Sequence, residues 1–145
     1  MPGIDECLLE AMRLPGARGA ALVDWTSGLA LGTVGESPGG DPETMAAEAA
    51  ELARLAAEHR AFAPEGDDGD PGPAAAGGAA DGRRTQDPPV EDLIISNRDS
   101  YHVLRFVTTS FDSSVFLHLW LARAEGNLAL ARIRLGEMAG RLVLG

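Results

Sequence analysis

Hydrophobic residues near the start of the chain recur at the spacing of an amphipathic helix. The periodic stretch runs from Ile4 to Met12, and Leu14-Pro15-Gly16 then ends the helix. Next comes an unbroken apolar run, residues 20–23, which predicts a strand covered on both faces. The turn residues Thr26-Ser27-Gly28 and a second apolar stretch predict an antiparallel hairpin. A hairpin covered on both faces predicts helices on either side of one sheet.

A helix start signal follows the hairpin. Asp41 is placed to cap the helix, Pro42 suits its first position, and Glu43 favours the positive end of the helix dipole. The helix is predicted to run to about Phe62, with an interior rich in Ala, Glu, Leu and Arg. One side carries Met45, Ala49, Leu52 and Ala56, and the other positions carry Glu48, Glu51, Arg54 and Glu58.

The composition changes after this helix. Residues 64–89 are rich in Gly, Pro, Ala and Asp, and no large apolar side chain occurs in this segment. Such a segment cannot bury enough apolar surface to offset the entropy of ordering it. The sequence therefore predicts a disordered acidic loop, 64–89, inserted into a single domain that spans residues 1–145.

Strand spacing dominates the second half of the chain. Three strands are predicted around 93–95, 101–107 and 115–122, and both alternating sets of side chains in the last strand are apolar, as in a central strand. A final helix is predicted from about Glu125 to Leu142. The order α-β-β-α-β-β-β-α predicts an α/β (α+β) fold, a five-stranded antiparallel sheet sandwiched by helices.

Composition narrows the function classes. The chain of 145 residues carries 22 acidic and 12 basic residues, a formal charge of −10 that makes nucleic acid an unfavourable partner. All basic residues are Arg, which excludes a P-loop lysine, a Schiff-base lysine and a lysine general base. The single Cys7, the lack of a membrane-spanning apolar run and the lack of a basic leader favour a cytoplasmic protein.

The residues that could carry chemistry do not converge. Gly35-Glu36-Ser37-Pro38-Gly39 matches the nucleophile-elbow pattern, but Pro38 has no N–H to serve as the oxyanion donor after the serine. The three histidines are widely spaced, and His118 lies in an apolar strand where a hydrogen-bonded core histidine is expected. We therefore predict no catalytic, cofactor-binding or metal-binding residue and interpret Asp24 as a turn cap.

Two features instead indicate association with another chain. The predicted strand 91–97 is apolar at its centre and contains no Pro, so as an edge strand it could pair with a second strand. In the last helix, Leu130 and Ile133 lie off the buried stripe and add apolar surface. Homodimerisation is the simplest outcome that covers such surfaces.

In this element order the chain resembles the roadblock/LC7 family, in particular its short actinobacterial-type members. The resemblance covers about residues 4–62 and 90–142 and omits the loop. It is carried by Pro15-Gly16-Ala17-Arg18-Gly19-Ala20-Ala21-Leu22-Val23-Asp24 with Thr26-Ser27-Gly28-Leu29, by Val90-Glu91-Asp92-Leu93-Ile94-Ile95, by Tyr101-His102-Val103-Leu104-Arg105, and by Asn127-Leu128-Ala129-Leu130-Ala131-Arg132.

The resemblance implies a roadblock/profilin-like fold and a homodimeric, non-enzymatic module that binds or regulates a small Ras-like GTPase, or serves as a scaffold, in bacterial signalling or polarity-type systems. It implies a dimer interface made by the edge strand and by side-by-side copies of the second helix, with Leu93, Ile94, Ile95, Met45, Ala49 and Leu52. The GTPase would dock on the second helix, at Glu48, Glu51, Arg54, Leu55 and Glu58.

Two other function classes stay open at this point. A small-molecule sensing domain predicts a sizeable apolar cavity near His118 and Trp120 in the central strand. A hydrolase using Ser37 or His118 predicts a general base close to Ser37. The GTPase regulator predicts neither feature, together with an exposed edge at Leu93–Ile95.

Overall fold

The structure is a computed structural model that describes residues 3–65, 90–107 and 114–142. Apart from Pro64 and Glu65, the predicted loop 64–89 lies outside the described residues. Within the described ranges the regular elements are α1 (Ile4–Ala11), β1 (Ala17–Asp24), β2 (Leu29–Gly35), α2 (Pro42–Glu58), β3 (Asp92–Ser96), β4 (Ser100–Val107), β5 (Val115–Ala122) and α3 (Leu128–Arg141).

The five strands form one antiparallel sheet in the order β2-β1-β5-β4-β3. The central position of β5 and the predicted element order are both confirmed. Side chains alternate across β5, so that Leu117 packs in the core on one face of the sheet and Phe116 packs in the core on the other. Helices α1 and α3 cover the Leu117 face, and α2 covers the Phe116 face. The predicted sandwich of helices around one sheet is confirmed.

The hairpin of β1 and β2 follows the prediction in β1 and departs from it in β2. Residues 20–23 of β1 are buried on both faces, and Gly28 takes a φ of 78° in the connecting turn. The Asp24 carboxylate accepts a hydrogen bond from the Thr26 backbone N–H at 2.9 Å, as expected of a turn cap. In β2, at the end of the sheet, alternate residues are exposed and the residues between them are half-buried, so this strand is covered less completely than β1.

The helix starts obey local capping rules. The Asp41 carboxylate accepts hydrogen bonds from the Glu43 backbone N–H at 3.1 Å and from the Thr44 hydroxyl at 2.7 Å. The hydrogen bond from the Thr44 side chain and that from the Glu43 backbone lower the pKa of Asp41. The helix itself ends at Glu58, earlier than predicted, because His59 adopts an extended conformation before a short 3₁₀ turn at Arg60–Phe62.

Candidate interaction surface

The strand β3 is one edge of the sheet, as the sequence predicts. Among the strands that the structure describes, it pairs with β4 alone, in the register Leu93 opposite Leu104 and Ile95 opposite His102. Leu93 packs against the core under α2, whereas Ile94 packs against the core under α1 and α3. All three of the residues 93–95 are half-buried, so they retain apolar surface that a further strand could cover.

An ion-pair cluster lies at the start of this edge. Asp92 Oδ2 is 3.0 Å from Arg132 Nε of α3 and 3.5 Å from Arg105 Nη1 of β4. The Arg105 guanidinium lies flat over α3, where a Cβ atom on Gly136 would be 3.4 Å from its Cζ atom. The cluster therefore ties β3 and β4 to α3 and leaves the centre of the edge without charge.

Helix α2 buries a narrow side made of small residues. Its buried residues are Met45, Ala46, Ala49, Ala50 and Ala53. Alanine at these positions lets the helix lie close to the sheet. Met45 and Ala49 were expected at a helix-to-helix dimer interface, but their own sheet covers them. Of the three helix residues expected at that interface, Leu52 alone is exposed, at 41% against 7% for each of the other two.

The residues expected to dock a GTPase lie mostly on the solvent side of α2. We call this side the outer face of α2 and define it by Glu48, Glu51, Leu52, Leu55 and Glu58, all of which are exposed. It combines three carboxylates with two leucines, and Leu55 is 54% exposed. An exposed apolar pair ringed by charge is typical of protein interaction sites.

Arg54 departs from this expectation. Its Nη1 atom donates a hydrogen bond of 2.7 Å to the backbone carbonyl oxygen of Trp25, in the turn between β1 and β2. The guanidinium therefore fastens α2 to the hairpin and is not presented to a partner. Arg60, in the short turn after α2, is exposed.

A histidine pair lies under the start of α2, and sequence reasoning did not bring its members together. His102 Nδ1 is 3.0 Å from His118 Nε2, and His118 Nδ1 is 3.1 Å from the Met45 sulfur. Burial, and then the charge of neighbouring His102, lower the pKa of His118 to about 3. Burial also lowers the pKa of His102, although Asp99 opposes the shift. Both imidazoles are consequently neutral near pH 7, which suits a packing role. The contact between His102 and His118 depends on the register between β4 and β5, which the sequence pattern does not specify.

Aromatic and charged side chains continue this cluster towards the surface. The His102 ring stacks on Trp120 with centroids 6.0 Å apart, and Arg18 Cζ lies 3.8 Å from the centre of the Trp120 ring. Arg18 in turn pairs with Glu36 at 3.1 Å. The four side chains His102, Trp120, Arg18 and Glu36 thus form a continuous column from the buried histidine pair to the surface.

The cleft beside this column is small. Its volume is about 180 Å³, even when the solvent space at its mouth is counted. The residues that line it include Glu36, Ser37, Pro38, His118 and Trp120. Pockets for small-molecule ligands commonly measure about 300–1,000 Å³. The cleft near His118 and Trp120 thus falls below the size that the sensing hypothesis requires.

The hydrolase hypothesis also lacks its base. Ser37 and His118 line the same cleft, but the two ring nitrogens of His118 contact His102 and Met45 instead of the serine. Within residues 3–65, 90–107 and 114–142 no group of three or more His, Cys, Asp or Glu side chains could hold a metal ion. Within the described residues, the β3 edge and the outer face of α2 are the features that fit the GTPase-regulator hypothesis.

The sequence matches no protein-family model and no curated protein. Solved structures share its fold. The roadblock/LC7 domain from Streptomyces avermitilis aligns at a TM-score of 0.64 with 18% identity, over 97% of this chain and 94% of that domain. MglB from Myxococcus xanthus aligns at 0.61 with 17% identity, over 94% and 81% of the two chains. The gliding protein MglB from Thermus thermophilus aligns at 0.61 with 16% identity, over 94% and 83%.

These structures and the sheet order together define the class: the chain has the roadblock/LC7 fold. The resemblance drawn from the sequence is confirmed at the level of the fold. In the part of the chain that the structure describes, no helix is long and apolar enough to cross a membrane.

Proposed function

We propose that this protein is a non-enzymatic, homodimeric regulator or scaffold that binds a small Ras-like GTPase in bacterial signalling or polarity-type systems. The observation that carries the proposal is the open outer edge of β3, together with exposed leucines on α2, within a roadblock/LC7 fold. The likeness to MglB structures supports the bacterial setting.

The dimer would form by antiparallel pairing of β3 with β3 of a second copy. Residues 93–95 carry no charge and no Pro, and each is half-buried in one copy, so pairing would satisfy free backbone groups and cover apolar surface. One sheet would then run through both copies. The α2 helices cover the same face of that sheet, and Leu52 is the exposed apolar residue with which they could meet.

The GTPase would dock on the outer face of α2. The carboxylates Glu48, Glu51 and Glu58 would meet basic groups of the partner, and Leu55 would supply the apolar contact. The chain contains no Lys and so has no P-loop of its own. Any effect on nucleotide turnover would come from repositioning the loops of the GTPase or from an arginine supplied by this chain. Arg60 is the candidate for the second route, because it is exposed whereas Arg54 is held by Trp25.

The dimer is tested by light scattering on purified protein. Ile95→Lys would place a charge in the pairing region, where burying it is unfavourable, and should yield a monomer. Leu29→Lys is the matched control, because Leu29 is an exposed apolar residue on β2, at the opposite end of the sheet from β3. A wild-type monomer, or equal masses for wild type and Ile95→Lys, would overturn the dimer.

The GTPase is tested by binding measurements with a panel of Ras-like GTPases loaded with GDP or a GTP analogue. The double variant Glu51→Arg/Glu58→Arg should lose binding, whereas Glu125→Arg, a similar charge reversal outside α2, should retain it. Unchanged binding by the double variant would exclude the outer face of α2. Failure of every GTPase to bind would overturn the regulator itself.

A further inference from the structure

The outer side of β2, at the other end of the sheet, also has no neighbouring strand among the described residues, and the proposed dimer does not use it. Among those residues, β2 is bordered by β1 alone, whereas β3 lies at the opposite end of the five-stranded order. A dimer made through β3 would therefore carry two copies of the β2 edge at its far ends.

The β2 edge lacks most of the devices that usually prevent edge pairing. Residues 29–35 contain no charged residue and no Pro, although natural edges commonly carry Lys or Pro. Leu29 is 62% exposed and Leu31 is 45% exposed. One device is present: the β1–β2 register shifts so that Val23 is opposite Ala30 and Leu22 is opposite Gly32, which leaves Leu31 as the extra residue of a bulge.

Helix α1 extends this apolar edge. A Cβ atom on Gly32 would lie 2.9 Å from Ile4 Cγ2 and 3.1 Å from Leu8 Cδ1, so α1 lies directly over β2. Leu9 follows Leu8 and is turned about 100° further round the helix, away from the core. It is 57% exposed. Three exposed leucines therefore lie around the outer edge of β2: Leu9, Leu29 and Leu31. We call them the β2 edge patch.

The charges around the patch are acidic. Asp5 and Glu6 are exposed in the first turn of α1, and Glu36 follows β2 directly. Because Glu36 is paired with Arg18 at 3.1 Å, the attraction for a basic partner rests on Asp5 and Glu6. A second copy of this chain, seated on this patch, would bring the same carboxylates to the contact. A basic partner would instead be attracted.

We propose that the β2 edge patch binds a short extended segment of another protein, with apolar residues at alternate positions and basic residues beside them, added to the sheet as a further strand. Main-chain hydrogen bonds to β2 would provide affinity, and the leucines would receive the alternate apolar side chains. The bulge at Leu31 limits the regular part of the edge and so favours a short segment over a second sheet.

The test is an NMR titration of the full-length, isotope-labelled protein. The probe is a synthetic peptide with Val at alternate positions, Thr between them and Arg at both ends. We expect shift changes concentrated in residues 29–35 and in α1. Replacing both Arg residues of the peptide by Glu, or methylating its backbone nitrogens, should weaken binding by about tenfold or more, because charge attraction or main-chain pairing is lost.

Protein variants locate the contact. Leu31→Lys should weaken peptide binding by about tenfold. Ile133→Lys changes an apolar residue outside the patch that is 60% exposed, against 45% for Leu31, and should leave binding unchanged. Leu9→Lys repeats the test on α1 should Leu31→Lys fail to fold. No binding at about 1 mM peptide, shifts confined to β3, or tight binding of the Glu-flanked peptide would each overturn the proposal. A fall in molecular mass caused by Leu31→Lys would assign the patch to a second copy and also overturn it.

Discussion

His102 Nδ1 lies 3.0 Å from His118 Nε2, and a methionine determines which of these two nitrogens carries the hydrogen. The Met45 thioether, 3.1 Å from His118 Nδ1, has no hydrogen to donate, so His118 donates from Nδ1. A neutral His118 must then accept at Nε2, and His102 must donate from Nδ1. The contacts thus assign both tautomers and link α2 to β4 through β5.

This arrangement predicts a loss of stability in acid. The pKa of His118 is about 3 in the folded protein, and its ordinary value is 6.5, so between these values the unfolded chain binds a proton that the folded chain does not. The free energy of unfolding should therefore decrease as the pH falls from about 6.5 to about 3, by up to about 1.4 kcal/mol per pH unit. Above this range the contribution is complete.

The measurement is urea unfolding of wild type and His118→Leu across that pH range. The carboxylates titrate in both proteins, so their contribution largely cancels in the difference. The difference in the free energy of unfolding should shrink or reverse in acid, because the variant does not lose the histidine contribution. Parallel curves would show that His118 does not titrate with folding.

Met45→Leu should lower the free energy of unfolding by more than the change in side-chain shape alone would. The substitution nearly conserves volume, which usually costs less than about 1.5 kcal/mol. It also removes the acceptor of the His118 N–H. His118 Nδ1 is then buried without a hydrogen-bond partner, whether or not it carries the hydrogen. This adds about 1–3 kcal/mol to the loss of stability.

Met138→Leu is the matched control, because Met138 is equally buried in the opposite core. Thermal or urea unfolding of both variants should place the Met45→Leu midpoint lower. Equal midpoints would mean that the thioether contact contributes nothing beyond packing.

Alanine substitutions at two glycines distinguish the cost of backbone strain from the cost of a steric clash. Gly35 and Gly39 have nearly equal φ values, 79° and 78°. A Cβ atom on Gly35 would lie 2.6 Å from the Arg18 carbonyl oxygen, whereas a Cβ atom on Gly39 would meet nothing within 4 Å. Gly39→Ala should cost about 1–2 kcal/mol from the left-handed conformation alone. Gly35→Ala should cost more, because the end of β2 must also move, and equal losses in unfolding experiments would contradict this reading.

The Asp92 cluster should matter more than an exposed ion pair. The Asp92 side chain is 12% exposed and contacts both Arg105 and Arg132, so Asp92→Asn leaves two guanidinium groups without their carboxylate. We expect a loss of about 2–4 kcal/mol. Glu137→Gln breaks the exposed pair with Arg134 and should cost less than about 1 kcal/mol. Chemical denaturation compares the two, and similar losses would refute a special role for Asp92.

Local patterns were sufficient for most of the elements. These patterns involve residues that are close together in the sequence, so they can be recognised without the structure. Examples are the turn at Gly28, the Asp41 cap with Pro42, and the two apolar faces of β5. The end of α2 was harder to place. Helix-favouring residues continue to Phe62, but the chain turns at His59, and a propensity argument does not detect that turn.

By itself, the sequence determined the element order, the central position of β5 and the free edge at residues 93–95, because apolar spacing and turn residues are local properties. The tertiary structure alone decided which side of α2 meets the sheet, that Arg54 holds Trp25, and that His102, His118 and Met45 meet. Those outcomes depend on strand register and helix rotation, which bring together residues that are far apart in the chain. No short stretch of sequence specifies such contacts.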